Sequence, residues 1–420
     1  AFITIDRHHM QALINMAHAY SCKWRFDFSP SKCAVMVFGK NTPTRPFAMG
    51  SDRLSVVNAY VHVGIKLVAN GIIPNIDIKK KIQACKRAFF SLVGTSLSKT
   101  TLSPIALSTL YWSVVVPKLL SGVESRVFSE NELVEYGKFH KTVSKDIQQL
   151  PGNTPDPVVL SMLGWKGLDT YIEYMKIMFV HRILSYSPSS MYRISFIRRL
   201  YFLCLKGVQA STSPVAVIIT ALQKYGLLAE VFAMIESGTV PSKLAWKKVV
   251  NQTINDYVFE RWRFSLVLYP KLCVFRSVVH KWEPLCWWKA VKALPYLKKS
   301  CVTIVKLLCG SNVLLVNTLC NLPRNERLCN LCDHNVVEDC RHFMFHCPKW
   351  EFIRLAIDET IRLAISSESY TLWNELPDGM KLYIALGLEY PFPLSDLQAL
   401  RYIYCVNIHR MYRARKSIAV

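Results

Sequence analysis

Cys329-Asn-Leu-Cys332 is followed after nine residues by His342 and after four more by Cys347, a C-x2-C-x9-H-x4-C pattern. Zinc takes four sulfur or nitrogen ligands at tetrahedral corners, and two thiolates separated by two residues on a tight turn reach adjacent corners. His342 and Cys347 return from a following turn and helix, with Phe343 and Phe345 packing nearby. Cys340, His334 and His346 stand close enough in sequence to replace one of these donors, and spacing alone does not decide among them. Reduced buried cysteines without metal are the alternative. Four filled corners leave no position for water, so the chemistry expected is structural.

The chemistry that would make an enzyme is missing from the pattern. Metal-assisted phosphoryl transfer needs clustered carboxylates to hold Mg²⁺, and no two aspartates are adjacent. The acidic doublets Glu338-Asp339 and Asp358-Glu359 read as a solvated turn or a helix start. There is no phosphate-binding G-x-x-x-x-G-K-[ST] loop, no G-x-S-x-G elbow and no His-Glu-x-x-His. No catalytic residue is assigned.

The elements that must position the cysteines are mostly helical. Met10, Leu13, Ile14 and Ala17 follow helical spacing, with Tyr20 and Trp24 extending the oily side. Cys33–Phe38, apolar on both faces, predicts a buried strand, and Asn41–Gly50 a loop. Val61, Val63, Ile65 and Leu67 alternate as a half-buried strand does, and Asn70-Gly71 supplies a turn. After Pro74 the period changes: Ile78, Ile82, Cys85, Phe89 and Leu92 are spaced 4, 3, 4, 3 on a helix that also carries Lys79, Lys80, Lys81, Lys86 and Arg87. Residues 103–150 stay helical up to Pro151-Gly152-Asn153. Residues 154–320 form further helices broken near Ser185–Ser189, Ala210–Pro214 and Gly238–Pro241. Trp246, Trp262, Trp282, Trp287 and Trp288 are expected in the core or between helices. Leu397–Val420 is a helix with Arg401, Arg410, Arg413, Arg415 and Lys416, either a solvated face or a nucleic-acid contact.

Across 420 residues, 52 Lys+Arg against 29 Asp+Glu leave a net charge of +23, and 51% of residues are apolar. The apolar fraction excludes a disordered chain, and the length implies several domains. The positive charge favours a polyanion, since each base set against a phosphate releases counterions. Leu107–Val123 and Cys301–Cys320 are the longest oily stretches, but Lys118 and Lys306 interrupt them, so no membrane span is expected. Neither is a signal peptide, because no basic segment precedes an apolar core at the front. The 14 cysteines then read as reduced thiols of an intracellular protein, nuclear or cytoplasmic. A chain opening Ala1-Phe2-Ile3 is expected to be a piece of something longer.

Several segments, in order, resemble reverse transcriptases of non-LTR (LINE-like) retrotransposons. Lys23-Trp24-Arg25-Phe26-Asp27-Phe28-Ser29-Pro30-Ser31-Lys32-Cys33 and on to Gly39 is similar to the segment after that family's catalytic Tyr-x-Asp-Asp box, with Ser29 where Asn is usual. His62-Val63-Gly64-Ile65-Lys66-Leu67 resembles its primer-grip hairpin. Ile147-Gln148-Gln149-Leu150-Pro151 with Thr154, then Leu163-Gly164, is similar to the end of its thumb. Arg327 through Cys347-Pro348 resembles its C-terminal zinc knuckle.

The resemblance implies a mainly α fold with a small N-terminal α+β remnant of a polymerase palm. It divides the chain into a palm end with the hairpin (1–73), a helical thumb (74–155), a helical linker region (156–320), a CCHC zinc knuckle (321–355) and basic C-terminal helices (356–420). It also explains the absent carboxylates, because the metal-binding aspartates would precede Ala1. Carried over, Lys32 lies near the incoming nucleotide's phosphates or is simply an exposed lysine. His62, Gly64 and Lys66 hold the primer end, Gly64 through close backbone approach or merely as a bulge. Lys79, Lys80, Lys81, Lys86 and Arg87 follow the duplex backbone, where a solvated face is the plain alternative. The partners implied are an RNA and DNA template-primer and the missing palm and fingers, with structural Zn here and Mg only in the parent polymerase. A non-enzymatic, zinc-containing nucleic-acid or protein-interaction module derived from a retroelement is the other reading.

Overall fold

The computed structural model describes residues 2–38, 46–62, 65–69, 78–93, 102–207, 213–319 and 321–418. It is mainly helical, 69% helix and 5% strand. Two compact units divide the chain: Ala1–Gln83 with Leu120–Arg126, and Ala84–Leu119 with Val127–Val420.

In the first unit, α1 (Arg7–Trp24) starts where the Asp6 carboxylate accepts the His9 amide at 3.0 Å and ends at Arg25 in the left-handed region. It lies on a three-stranded sheet of β1 (Ala34–Val35), β2 (Phe47–Met49) and β3 (Asp52–Val56), ordered β1-β3-β2. β1 runs parallel to β3 and β2 antiparallel to it. Ile14, Val35, Phe47 and Leu54 close the small core. The Gln11 amide accepts from Ala48 N at 3.1 Å and donates to Ala48 O at 2.7 Å, adding a side chain to the sheet's edge. A separate hairpin joins β4 (Ala59–His62) to β5 (Ile65–Val68).

Four sequence expectations change here. Tyr20 and Trp24 are 58% and 61% exposed, because α1 buries only a narrow stripe around Ile14 and Ser21. The strand expected over Cys33–Phe38 shrinks to two residues, and Phe38 is exposed. The loop expected through Gly50 contains β2. Finally, Val61 and Leu67 belong not to one strand but to two, and Val61 pairs with Lys66 while Tyr60 pairs with Leu67. A chain reversal exchanges the faces, which period-2 alternation alone cannot reveal. The Asn70-Gly71 turn lies outside the described residues.

The boundary between the units falls within α2 (Ile78–Val93), whose Ile78, Ile82, Cys85 and Phe89 are buried as their spacing predicts. The second unit continues with α3 (Pro104–Leu110), a π turn, α4 (Val116–Leu119), α5 (Glu130–Gln148), α6 (Asp156–Ser161), α7 (Leu168–Leu184) and α8 (Met191–Lys206). α9 (Pro214–Lys224), α10 (Leu228–Ser237) and α11 (Lys243–Val267) pack against α7 and α8 around Trp246, Ile219 and Val250. Next come α12 (Cys273–Val278), α13 (Cys286–Ala293), α14 (Lys298–Leu308) and α15 (Leu315–Thr318). After the cysteine-rich segment, α16 (Glu351–Ala364), α17 (Ser367–Glu375), α18 (Asp378–Leu386) and α19 (Leu394–Ile418) finish the chain. The breaks after α7 and α10 fall where the sequence places them, and most of the one expected over Ala210–Pro214 lies outside the described residues. Trp246, Trp262, Trp287 and Trp288 are buried, as expected. Among the described residues no single helix is long and apolar enough to cross a membrane.

Buried polar groups hold α5 in place. Gln148 donates to Ser144 O at 3.1 Å and Val159 O at 2.8 Å, and accepts from Trp288 Nε1 at 3.0 Å. Gly164 has φ +69°, and a Cβ there would meet Pro284 Cδ at 2.9 Å, so both conformation and space require glycine.

His140 is fully buried against the stacked pair Tyr111 and Trp165. Its Nε2 sits 3.0 Å from Lys166 O, a pure acceptor, so Nε2 carries the proton and Nδ1 accepts from the Tyr111 hydroxyl at 2.9 Å. Burial lowers the His140 pKa to about 4, against 6.5 in the unfolded chain. The unfolded state therefore binds the extra proton between those values, and stability is lost as pH falls through that window. At pH 4.5 the loss is on the order of 2–3 kcal/mol relative to pH 7.5. Urea denaturation at the two pH values should show that difference shrinking in His140→Asn, and an unchanged difference would refute the assignment.

Candidate metal centre and basic surfaces

The cysteine segment is built from short-range hydrogen bonds. Arg327 O accepts from Glu338 N at 3.1 Å, and Cys329 N donates to Val336 O at 2.8 Å, closing a small hairpin. Asn335, at φ 49°, takes the left-handed conformation in its connection. Within the turn, Leu331 N points at Cys329 Sγ, 3.4 Å away. The Asp339 carboxylate then accepts the His342 amide at 3.0 Å, starting a π turn over His342–His346. Cys347 N donates back to His342 O at 2.8 Å, and Pro348 leads the chain into α16.

These contacts converge Cys329, Cys332, His342 and Cys347. One ligand atom from each lies within 4.8 Å of all the others, and Cys332 Sγ is 3.5 Å from His342 Nε2. A tetrahedral site with bonds of about 2.0–2.3 Å has donor–donor edges of about 3.5–3.8 Å, so the group fits one metal ion with little adjustment. Cys329 and Cys347 are almost wholly buried and His342 nearly so. Burial raises the Cys329 thiol to about 12 and raises Cys347 as well, and it lowers His342. Those two thiols are thus neutral without metal, and a bound ion would displace their protons.

The rival donors are placed elsewhere. Cys340 is buried outside the group, with its thiol raised to about 12 by burial. His346 Nε2 lies 3.2 Å from Asp378, and His334 is exposed.

Glu338 and Arg415 escaped the sequence reading. Glu338 is 1% exposed and Arg415 0%, so neither the solvated turn expected for the acidic doublet nor the solvated face expected for the basic helix describes them. Arg415 Nη2 reaches Glu338 Oε2 at 2.9 Å and Asn330 Oδ1 at 3.0 Å, and Leu315 N donates to Glu338 Oε2 at 2.8 Å. Asn330 stands between two of the converging cysteines, which ties the end of α19 directly to the metal turn. A signal existed. Arg415 continues the buried series Leu397, Leu400, Tyr404, Ile408 and Met411, and a charge in phase with an apolar stripe implies a buried partner. Asp358-Glu359 lies within α16, not at its start, with Asp358 bonded to the Tyr370 hydroxyl.

The proposed nucleic-acid contacts are scattered more widely. Lys32 is exposed, and its carbonyl accepts the Tyr60 hydroxyl at 2.7 Å, joining that turn to the hairpin. His62 is exposed at the end of β4. Lys66 pairs with Val61 through β5, its side chain lying outside the described residues, as does Gly64 altogether. Lys79 and Lys80 are exposed, while Lys81 Nζ lies 3.4 Å from Ser121 O. Lys86 and Arg87 are exposed, and the Lys86 ammonium stands 6.0 Å from the centre of the Phe139 ring.

No family model, curated protein or solved structure matches the chain.

Proposed function

We propose that this chain is the C-terminal part of a retrotransposon RNA-directed DNA polymerase of the non-LTR type, binding template-primer nucleic acid and holding one structural zinc ion. The observation that carries the reading is the convergence of Cys329, Cys332, His342 and Cys347 at the place in the chain where the resemblance puts its zinc knuckle. The hairpin β4–β5 preceding the basic helix α2 supports it further. Zinc suits three thiols and an imidazole with no corner left open. In this reading the Mg²⁺-binding carboxylates and the chemistry belong to the parent's palm, and this chain supplies phosphate contacts and rigidity.

The purified chain should contain one zinc per molecule and bind an RNA–DNA hybrid with steep salt dependence. It should give no primer extension with Mg²⁺ and deoxynucleotides. Measurable incorporation would overturn the assignment of catalysis to the missing part. Salt-independent capture of a protein instead would favour a retroelement-derived interaction module.

A further inference from the structure

α14 and α19 pack along each other in the second unit. Two contacts fix their relation, Cys301 Sγ lying 3.8 Å from Cys405 Sγ and Thr303 Oγ1 2.8 Å from His409 Nδ1, and Tyr296 in the turn before α14 stands beside Tyr402. Residue numbers rise together on both helices, so they run parallel. Tyr402, Val406, His409, Arg413 and Lys416 are then spaced 4, 3, 4, 3 along one side of α19. Lys299, Thr303 and Lys306 form the matching line on α14. This is the side of α19 away from Tyr404 and Arg415, which face the metal segment.

The line is unbalanced in charge. α14 has no acidic residue, and the single one in α19, Asp396, is bonded to Ser366 at its first turn. Lys299, Arg413 and Lys416 are exposed and Lys306 half-buried, and among the described residues no carboxylate forms an ion pair with any of them. Their crowding is felt nearby. Burial first, then Arg413, Lys299 and Lys306, lower the His409 pKa, and Lys416 adds to burial in lowering Lys306. Like charges set this close oppose one another unless an anion spans them. At the head of the line, Tyr296 and Tyr402 are 69% and 44% exposed, offering ring faces beside the cations.

We propose that the α14–α19 line is a binding track for a single strand of nucleic acid, with Lys299, Lys306, Arg413 and Lys416 on its phosphates and Tyr296 and Tyr402 against its bases. It rests on the nucleic-acid reading above and places a contact surface far along the chain from the hairpin and α2. From Tyr402 to Lys416 the helix rises about 21 Å, room for roughly six nucleotides at about 3.4 Å each. Phosphate contact with stacking on aromatic faces is how single strands are held without regard to sequence.

The test uses the full chain with fluorescent single-stranded RNA and DNA across a salt series. The K299A/R413A/K416A variant removes three exposed cations, and K243A/K247A/K248A removes as many from α11. The first should weaken binding about 10- to 100-fold and flatten the slope of log K against log salt by about two, while the second changes affinity less than about threefold. Tyr402→Ala should weaken binding severalfold and leave the slope unchanged. Equal weakening by both triple variants, or none by the first, would overturn the track and leave the general reading standing. No binding of either nucleic acid by the unaltered chain would overturn both, as would binding confined to vesicles of anionic lipid.

Discussion

Stripping metal from the full chain is expected to unfold the segment 327–350 and loosen the end of α19. The four donors come from two short turns with little regular structure, so a bound ion would be their main common anchor. Structural zinc contributes about 10–16 kcal/mol in isolated fingers, comparable with the whole stability of a typical domain. Here the net effect is smaller, because Phe343, Met344 and Trp350 are also buried, but several kcal/mol should remain. Hydrogen exchange and thermal melting with and without a chelator measure it. Cys347→Ser should lose the metal and reproduce the chelated state. Cys340→Ser should keep it, since its thiol lies outside the group. A chelated chain with an unshifted melting point, or a metal-free Cys340→Ser, would contradict the ligand set.

Glu338→Ala is expected to cost about 3–5 kcal/mol, the usual penalty for leaving a buried charge uncompensated. Arg415 would lose its carboxylate, and Leu315 N the acceptor it now has at 2.8 Å. Replacing both partners by apolar residues, as in E338L/R415M, should restore most of that stability, because neither charge then needs solvation. Restoration should not extend to the metal. With Arg415 gone, Asn330 between the ligand cysteines is no longer held from α19, and loss of such outer contacts typically weakens binding about 10- to 100-fold. Urea denaturation and competition against a chromophoric chelator separate the two effects. A Glu338→Ala variant within about 1 kcal/mol of the original, or a double variant no better than the single, would show that the pair is not the constraint its burial implies.

Much of this was legible before the structure. Helical spacing located α1, α2 and α19, turn residues placed the breaks after α7 and α10, and the donor spacing proposed the four residues that converge without excluding Cys340, His334 or His346. These are local properties, set by periodicity and by turns of a few residues, and neighbours in sequence are enough to dictate them. Three features were not local. The alternation across residues 61–67 became a hairpin because strand pairing, not the pattern itself, decides where a chain reverses. Tyr20 and Trp24 are exposed because α1 meets only a three-stranded sheet, too small to cover a wide helix face. Glu338 and Arg415 lie 77 residues apart; the apolar phase of α19 marks Arg415, but nothing in the sequence names Glu338 as its partner, and only folding removes both from water. The sequence by itself determined the short segment from which a metal site could be drawn, and the fold selected the four donors that converge. The tertiary structure decided what that gathering is fastened to, because a buried charge is tolerable only beside a partner that the chain's path brings to it.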